Sequence, residues 1–133
     1  MYIYNQKITI IRHKKPSSED TNAKLQWFGS SLGLFNLRDK DKSCFRIFVE
    51  LLKSSKQDQG LTSDEIAERS DLSRGTVVHH LDKLIKSGMV VHEKNQYELR
   101  VDNLGALVDE IRKDIQRTMN DLREIAEIID KEI

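Results

Sequence analysis

Between Asp39 and Lys53 the apolar side chains Phe45, Ile47, Phe48, Leu51 and Leu52 fall at helical spacing, with Cys44 on the same broad face and charges elsewhere. That spacing predicts a helix with one buried side. A polar stretch, Lys53 to Gly60, reads as a loop. Thr62 and Glu65 then stand three apart, the spacing of a capping box, and open a short helix that turns Ile66 and Ala67 inward and ends near Ser70. After a turn at Asp71-Leu72, Ser73 caps a further helix through Ser87, with Val77, Leu81, Leu84 and Ile85 as its apolar stripe. Gly88 closes that helix in the left-handed C-terminal position. Met89 to Glu93 and Gln96 to Val101 predict two strands joined by a polar tip, Lys94-Asn95. A last helix, capped by Asp102 or Asn103, runs nearly to the C-terminus.

The N-terminal part is less regular. Met1 to Arg12 is rich in β-branched and aromatic residues and predicts one strand or a small hairpin about Asn5-Gln6. Its basic tail, Arg12 to Lys15, stops at Pro16. Ser17 or Ser18 then caps a short helix, Glu19 to Phe28, ended by Gly29. Leu25 to Leu37 carries no charge but is broken by glycines and serines, so it reads as packed loop or helix edge.

In the last helix, Val108, Ile115, Leu122 and Ile129 form one set and Leu104, Ile111, Thr118, Ile125 and Glu132 another, with alternating steps of four and three. This is a coiled-coil seam. At 1.5 Å per residue the helix spans about 40 Å, longer than a domain of this size covers by itself, so the expected partner is a second copy. The expected dimer interface is Leu104, Val108, Ile111, Ile115, Leu122, Ile125 and Ile129. The competing arrangement folds the helix back on Trp27 and Phe28 of its own chain.

Composition sharpens this picture. The chain has 133 residues, 38% apolar and 33% charged, which suits a small core or a coiled coil more than a two-domain enzyme. Lone Cys44 makes no internal disulfide and there is no Cys pair for zinc or redox chemistry, so the cytoplasm is the expected compartment and Cys44 a packed hydrophobe. No window approaches the ~20 apolar residues of a membrane span, and Met1 to Ile11 lacks the marks of a signal peptide. Net charge is zero, yet residues 1–60 carry +5, residues 61–101 −1 and residues 102–133 −4. A basic face for nucleic acid opposite an acidic association element is compatible with that gradient. No Gly-rich phosphate loop, HExxH or nucleophile elbow is present, so no enzymatic role is expected. The last helix has no histidine, so neither a metal site nor any cofactor is expected.

Two short helices, a tight turn and a hairpin have the order of a winged helix-turn-helix. The string from Leu61 to Val91 resembles the DNA-binding core of winged helix-turn-helix transcriptional regulators of the ArsR, MarR and TrmB type. The matching features are T-x-x-E-I-A at Thr62 to Ala67, L-S-R-x-T-V at Leu72 to Val77, H-L-x-x-L at His80 to Leu84 and G-M-V at Gly88 to Val90. With Leu32 to Leu52, which looks like a TrmB-type entry, the resemblance covers residues 32–101. The expected fold is mainly α with a small β-hairpin wing. It divides into an N-terminal strand and helix extension (1–38), a winged helix-turn-helix (39–101) and a long C-terminal dimerisation helix (102–133).

A helix in the major groove offers its first turns to base edges. Opposite the apolar stripe stand Arg74, Gly75, Val78 and His79, the readout candidates, with Asp82 among them. Arg74 can grip guanine in a bidentate fork, Gly75 permits close approach, and Val78 can meet a thymine methyl. Ser73 and Thr76 near the positive helix N-terminus suit phosphate, with Lys83 and Lys86 adding charge and Lys94 and Asn95 reaching neighbouring backbone or minor groove. The expected function is a homodimeric, sequence-specific double-stranded DNA-binding regulator, with helix 73–87 in the major groove and wing 89–101 beside it. Asp64, Glu65, Glu68, Asp71 and Asp82 leave the motif less basic than a strong binder prefers, which sustains an alternative, a winged-helix scaffold that binds protein.

Overall fold

The computed structural model describes residues 5–35 and 42–133. The first four residues of the expected strand, the 38/39 domain boundary and the expected start of a helix at Asp39 lie outside them. Among the described residues five helices and a hairpin follow in the order α1 (Thr21–Ser31), α2 (Ser43–Lys56), α3 (Ser63–Ser70), α4 (Arg74–Lys86), β1 (Val90–Glu93), β2 (Gln96–Leu99) and α5 (Leu104–Glu132). A mostly helical chain with a two-stranded antiparallel wing after the helix-turn-helix is the winged arrangement the pattern predicts.

Helix ends follow local chemistry. Thr62 and Glu65 form the reciprocal capping box, the Ser73 hydroxyl accepts from the Thr76 amide, and the Asn103 side chain accepts from the Ala106 amide at 2.8 Å. At the end of α4, Gly88 (φ 83°) lets the Met89 amide reach the Leu84 carbonyl and its own amide reach Ile85. That pair of bonds satisfies two carbonyls the helix would otherwise strand. Gly33 (φ 68°) closes α1 in the same way.

The N-terminal expectations need correcting. Residues 5–12 form no strand; this segment lies extended on the domain, its Lys7 amide donating to the Lys86 carbonyl and its Ile11 amide to Ser31. Ile8 packs against the core while Ile10 and Ile11 stay exposed, and the segment finds no strand partner among the described residues. Asp20, not Ser17 or Ser18, caps α1. Gly29 does not end α1 but sits buried inside it, because the Phe35 ring lies where a side chain would go. We expect Gly29→Ala to cost about 1–3 kcal/mol through overpacking, read as a lowered thermal midpoint.

One core joins the elements. Ile47, Phe48 and Leu51 of α2, Ile66 of α3, Val77, Leu81 and Leu84 of α4, and Leu107 of α5 are fully buried, with Met89, Val90 and Leu99 of the wing beside them. The Phe35 ring meets Phe45 and Phe48 edge-on, at 5.2 and 6.1 Å between centroids. Leu61 exchanges backbone hydrogen bonds with Tyr97 and so adds a single isolated antiparallel bridge beside β2.

Only the first half of α5 joins this core: Leu107, Ile111 and Asp114 are buried, and every residue from Gln116 onward is exposed. Asp114 accepts from Arg100 (2.5 Å), which follows β2, from Gln6 (2.8 Å) and from Arg117. Arg100 also lies 3.3 Å from Glu110, and Gln6 donates to the Ser87 carbonyl at the end of α4. Burial pushes the Asp114 carboxyl up, but the Arg100 and Gln6 hydrogen bonds, the Arg100 charge and the Arg117 hydrogen bond outweigh it and hold the group below the usual range. Among the described residues no helix is long and apolar enough to cross a membrane.

Candidate nucleic-acid interface

The turn between α3 and α4 is pinned from below. Asp71 adopts a left-handed conformation (φ 55°) that aims the chain into α4, and the Leu72 amide donates to the Ala67 carbonyl. Arg46 of α2 donates to the carbonyls of Ser70 and Asp71. The helical periodicity of α2 marks its buried face and carries no information on this contact.

With Val77, Leu81 and Leu84 turned fully inward, α4 presents Arg74, Gly75 and His79 to solvent and holds Val78 half-buried between them. Asp82 and Lys86 continue the same face and Lys83 stands at its flank, all exposed. A side chain built on Gly75 would meet nothing within 4 Å, so the space above the first turn is open. Ser73 Oγ donates to Thr76 Oγ1 at 2.8 Å, which leaves the Thr76 hydroxyl its own proton to donate outward. Arg74 Nε lies 3.6 Å from Asp64 Oδ1, with both side chains more than two-thirds exposed. An exposed pair of this kind is worth ~0–1 kcal/mol, so it delays an approaching anion little.

The wing tip is a two-residue turn in which Lys94 (φ 52°) and Asn95 (φ 64°) are both left-handed, the geometry that matches strand twist in tight hairpins. Both side chains are exposed, while behind them His92 stacks on Tyr97 at 4.0 Å and stiffens the hairpin.

Lys7, which no local motif in the sequence marks, also borders this face. The N-terminal segment runs beside α4, and a polar cleft of about 580 Å³ between them is lined by Lys7, His79, Asp82, Lys83 and Lys86. The +5 charge of residues 1–60 was the available signal. Among the described residues no group of three or more His, Cys, Asp or Glu side chains could hold a metal ion. Cys44 is buried.

Residues 41–93 match the family model of a helix-turn-helix domain. The match begins just before α2 and ends at the wing tip, and it supports a helix-turn-helix regulator in the broad sense. No curated protein and no solved structure matches the chain.

Proposed function

We propose that the protein is a sequence-specific double-stranded DNA-binding transcriptional regulator of the ArsR, MarR and TrmB type, acting in the cytoplasm as a homodimer, with no enzymatic step. The observation that carries this reading is the exposed, sterically open first turn of α4, where Arg74, Gly75 and His79 face outward over a fully buried stripe. A helix held this way offers base-reading groups to a major groove, while Thr76, Lys83, Lys86, Lys94 and Asn95 are disposed for phosphates to either side.

Fluorescence anisotropy with random duplex DNA tests it: we expect micromolar binding at low salt that weakens steeply as salt rises. Binding absent at low salt would favour the protein-binding scaffold, since the acidic side chains about the turn would then repel the phosphate backbone.

The dimer part of the reading rests on α5. Leu122, Ile125 and Ile129 are about half exposed, whereas Ile111 is taken up by its own core and Leu104 and Ile115 are half-buried. The seam open to a partner is therefore Val108, with half-buried Ile115 beside it, together with the distal half. Leu122→Asp combined with Ile129→Asp is expected to convert a dimer of twice 15.5 kDa into monomers in sedimentation, without loss of helicity. A wild type already monomeric at tens of micromolar would remove the dimer.

A further inference from the structure

At the base of α5 lies an apolar groove of about 240 Å³, walled by Ile10, Phe28 and Leu32 on one side and Val108, Ile111 and Ile115 on the other. Beyond it the helix projects roughly 25 Å as a bare rod. On that rod Met119, Leu122, Ile125 and Ile129 are 45–58% exposed and continue the stripe that began at Val108 and Ile115. Exposed apolar area of this extent marks an association surface.

We infer that the groove is filled by the exposed tip of α5 from a second copy of this chain, the two α5 helices running antiparallel about a two-fold axis near Thr118. The inference rests on the homodimer reading and adds to it the orientation and the acceptor. Three observations select this occupant. The first is shape: a concave base needs a ridge, and an antiparallel pair lays each ridge in the other's groove, whereas a parallel pair sets groove against groove. The second is position, since Thr118 is the midpoint of Leu104–Glu132 and divides the covered half of the stripe from the open half. The third is charge. Residues 119–133 carry five acidic and two basic side chains, so a parallel pair would hold two tips of net −3 side by side. In the antiparallel pair each acidic tip approaches the N-terminal segment, where Ile10 in the groove wall leads into Arg12, His13, Lys14 and Lys15. Opposite potentials of this sort fix orientation more than they add affinity.

Spin labels at position 131 of the full chain, in Cys44→Ala/Lys131→Cys protein, test the orientation by dipolar distance measurement. An antiparallel pair separates the labelled backbone sites by about 35–40 Å, and a parallel pair by less than about 20 Å. The short distance would overturn the inference while leaving the homodimer intact. A monomeric mass at tens of micromolar would instead fail the homodimer reading itself. Ile10→Glu tests the groove separately, at a position 59% exposed in the single chain and so tolerant of a charge. We expect it to weaken dimerisation at least tenfold. Unchanged dimerisation would mean that the groove is not the acceptor and takes another occupant.

Discussion

Asp114→Ala should lower the stability of the fold by about 3–5 kcal/mol, because it strands the Arg100 guanidinium, 7% exposed, without its main counter-charge. Glu110 at 3.3 Å remains and draws the expectation toward the lower end. Replacing both partners by apolar residues, Arg100→Met with Asp114→Leu, should cost less than Asp114→Ala alone, since no charge is then left buried. The pH dependence follows from the lowered carboxyl. A group whose folded pKa lies below its unfolded value of about 3.9 contributes its stabilisation in full above that value and loses it as the pH falls through the folded one. Wild-type protein should therefore lose stability on acidification below about pH 4, and Asp114→Ala should lose less over the same interval. Denaturant unfolding at pH 7 and pH 3 reads both effects. A change under 0.5 kcal/mol at pH 7 would show that the network does not hold α5 to the wing.

That network also marks the limit of what sequence could reveal. Caps and periodic stripes are local, and Thr62, Ser73, Gly88 and Asn103 stand where their chemistry puts them. Gln6 and Asp114 are 108 positions apart, and no spacing rule connects them. The N-terminal segment misled for a related reason. Ile8, Ile10 and Ile11 carry strand propensity, but propensity has effect only where a neighbouring strand exists, and here the neighbours are α1 and the end of α4. Periodicity also placed Ile111 and Leu122 in one seam without showing that the first is used up by its own domain and the second is not. The outward face of α4 is readable from the positions of Val77, Leu81 and Leu84. The Arg74–Asp64 pair and the adjacency of Lys7 depend on how separate elements pack.

The same division between reading and holding governs the expected behaviour on DNA. Arg74→Ala should cost about 1–3 kcal/mol on a selected operator and leave non-specific affinity nearly intact, because a bidentate contact to a guanine edge exists only when the right base is opposite. Lys94→Ala should weaken every sequence alike and reduce the slope of log K against log salt by about 1 per chain, the signature of one lost phosphate contact. Since alanine at 94 keeps the left-handed tip as constrained as lysine does, that change isolates the charge from the hairpin. Asp64→Asn acts in the opposite direction: it releases Arg74 from its 3.6 Å partner and removes a negative charge beside the phosphates, so affinity should rise, most at low salt. Site selection from random duplexes, followed by salt titration of the three variants, reads the pattern, and a two-fold dimer should return an inverted repeat with half-sites about one helical turn or a multiple apart. If all three variants bind as wild type does, this face of α4 does not touch DNA. The acidic pairing of Arg74 would then be better understood as part of a surface that receives protein.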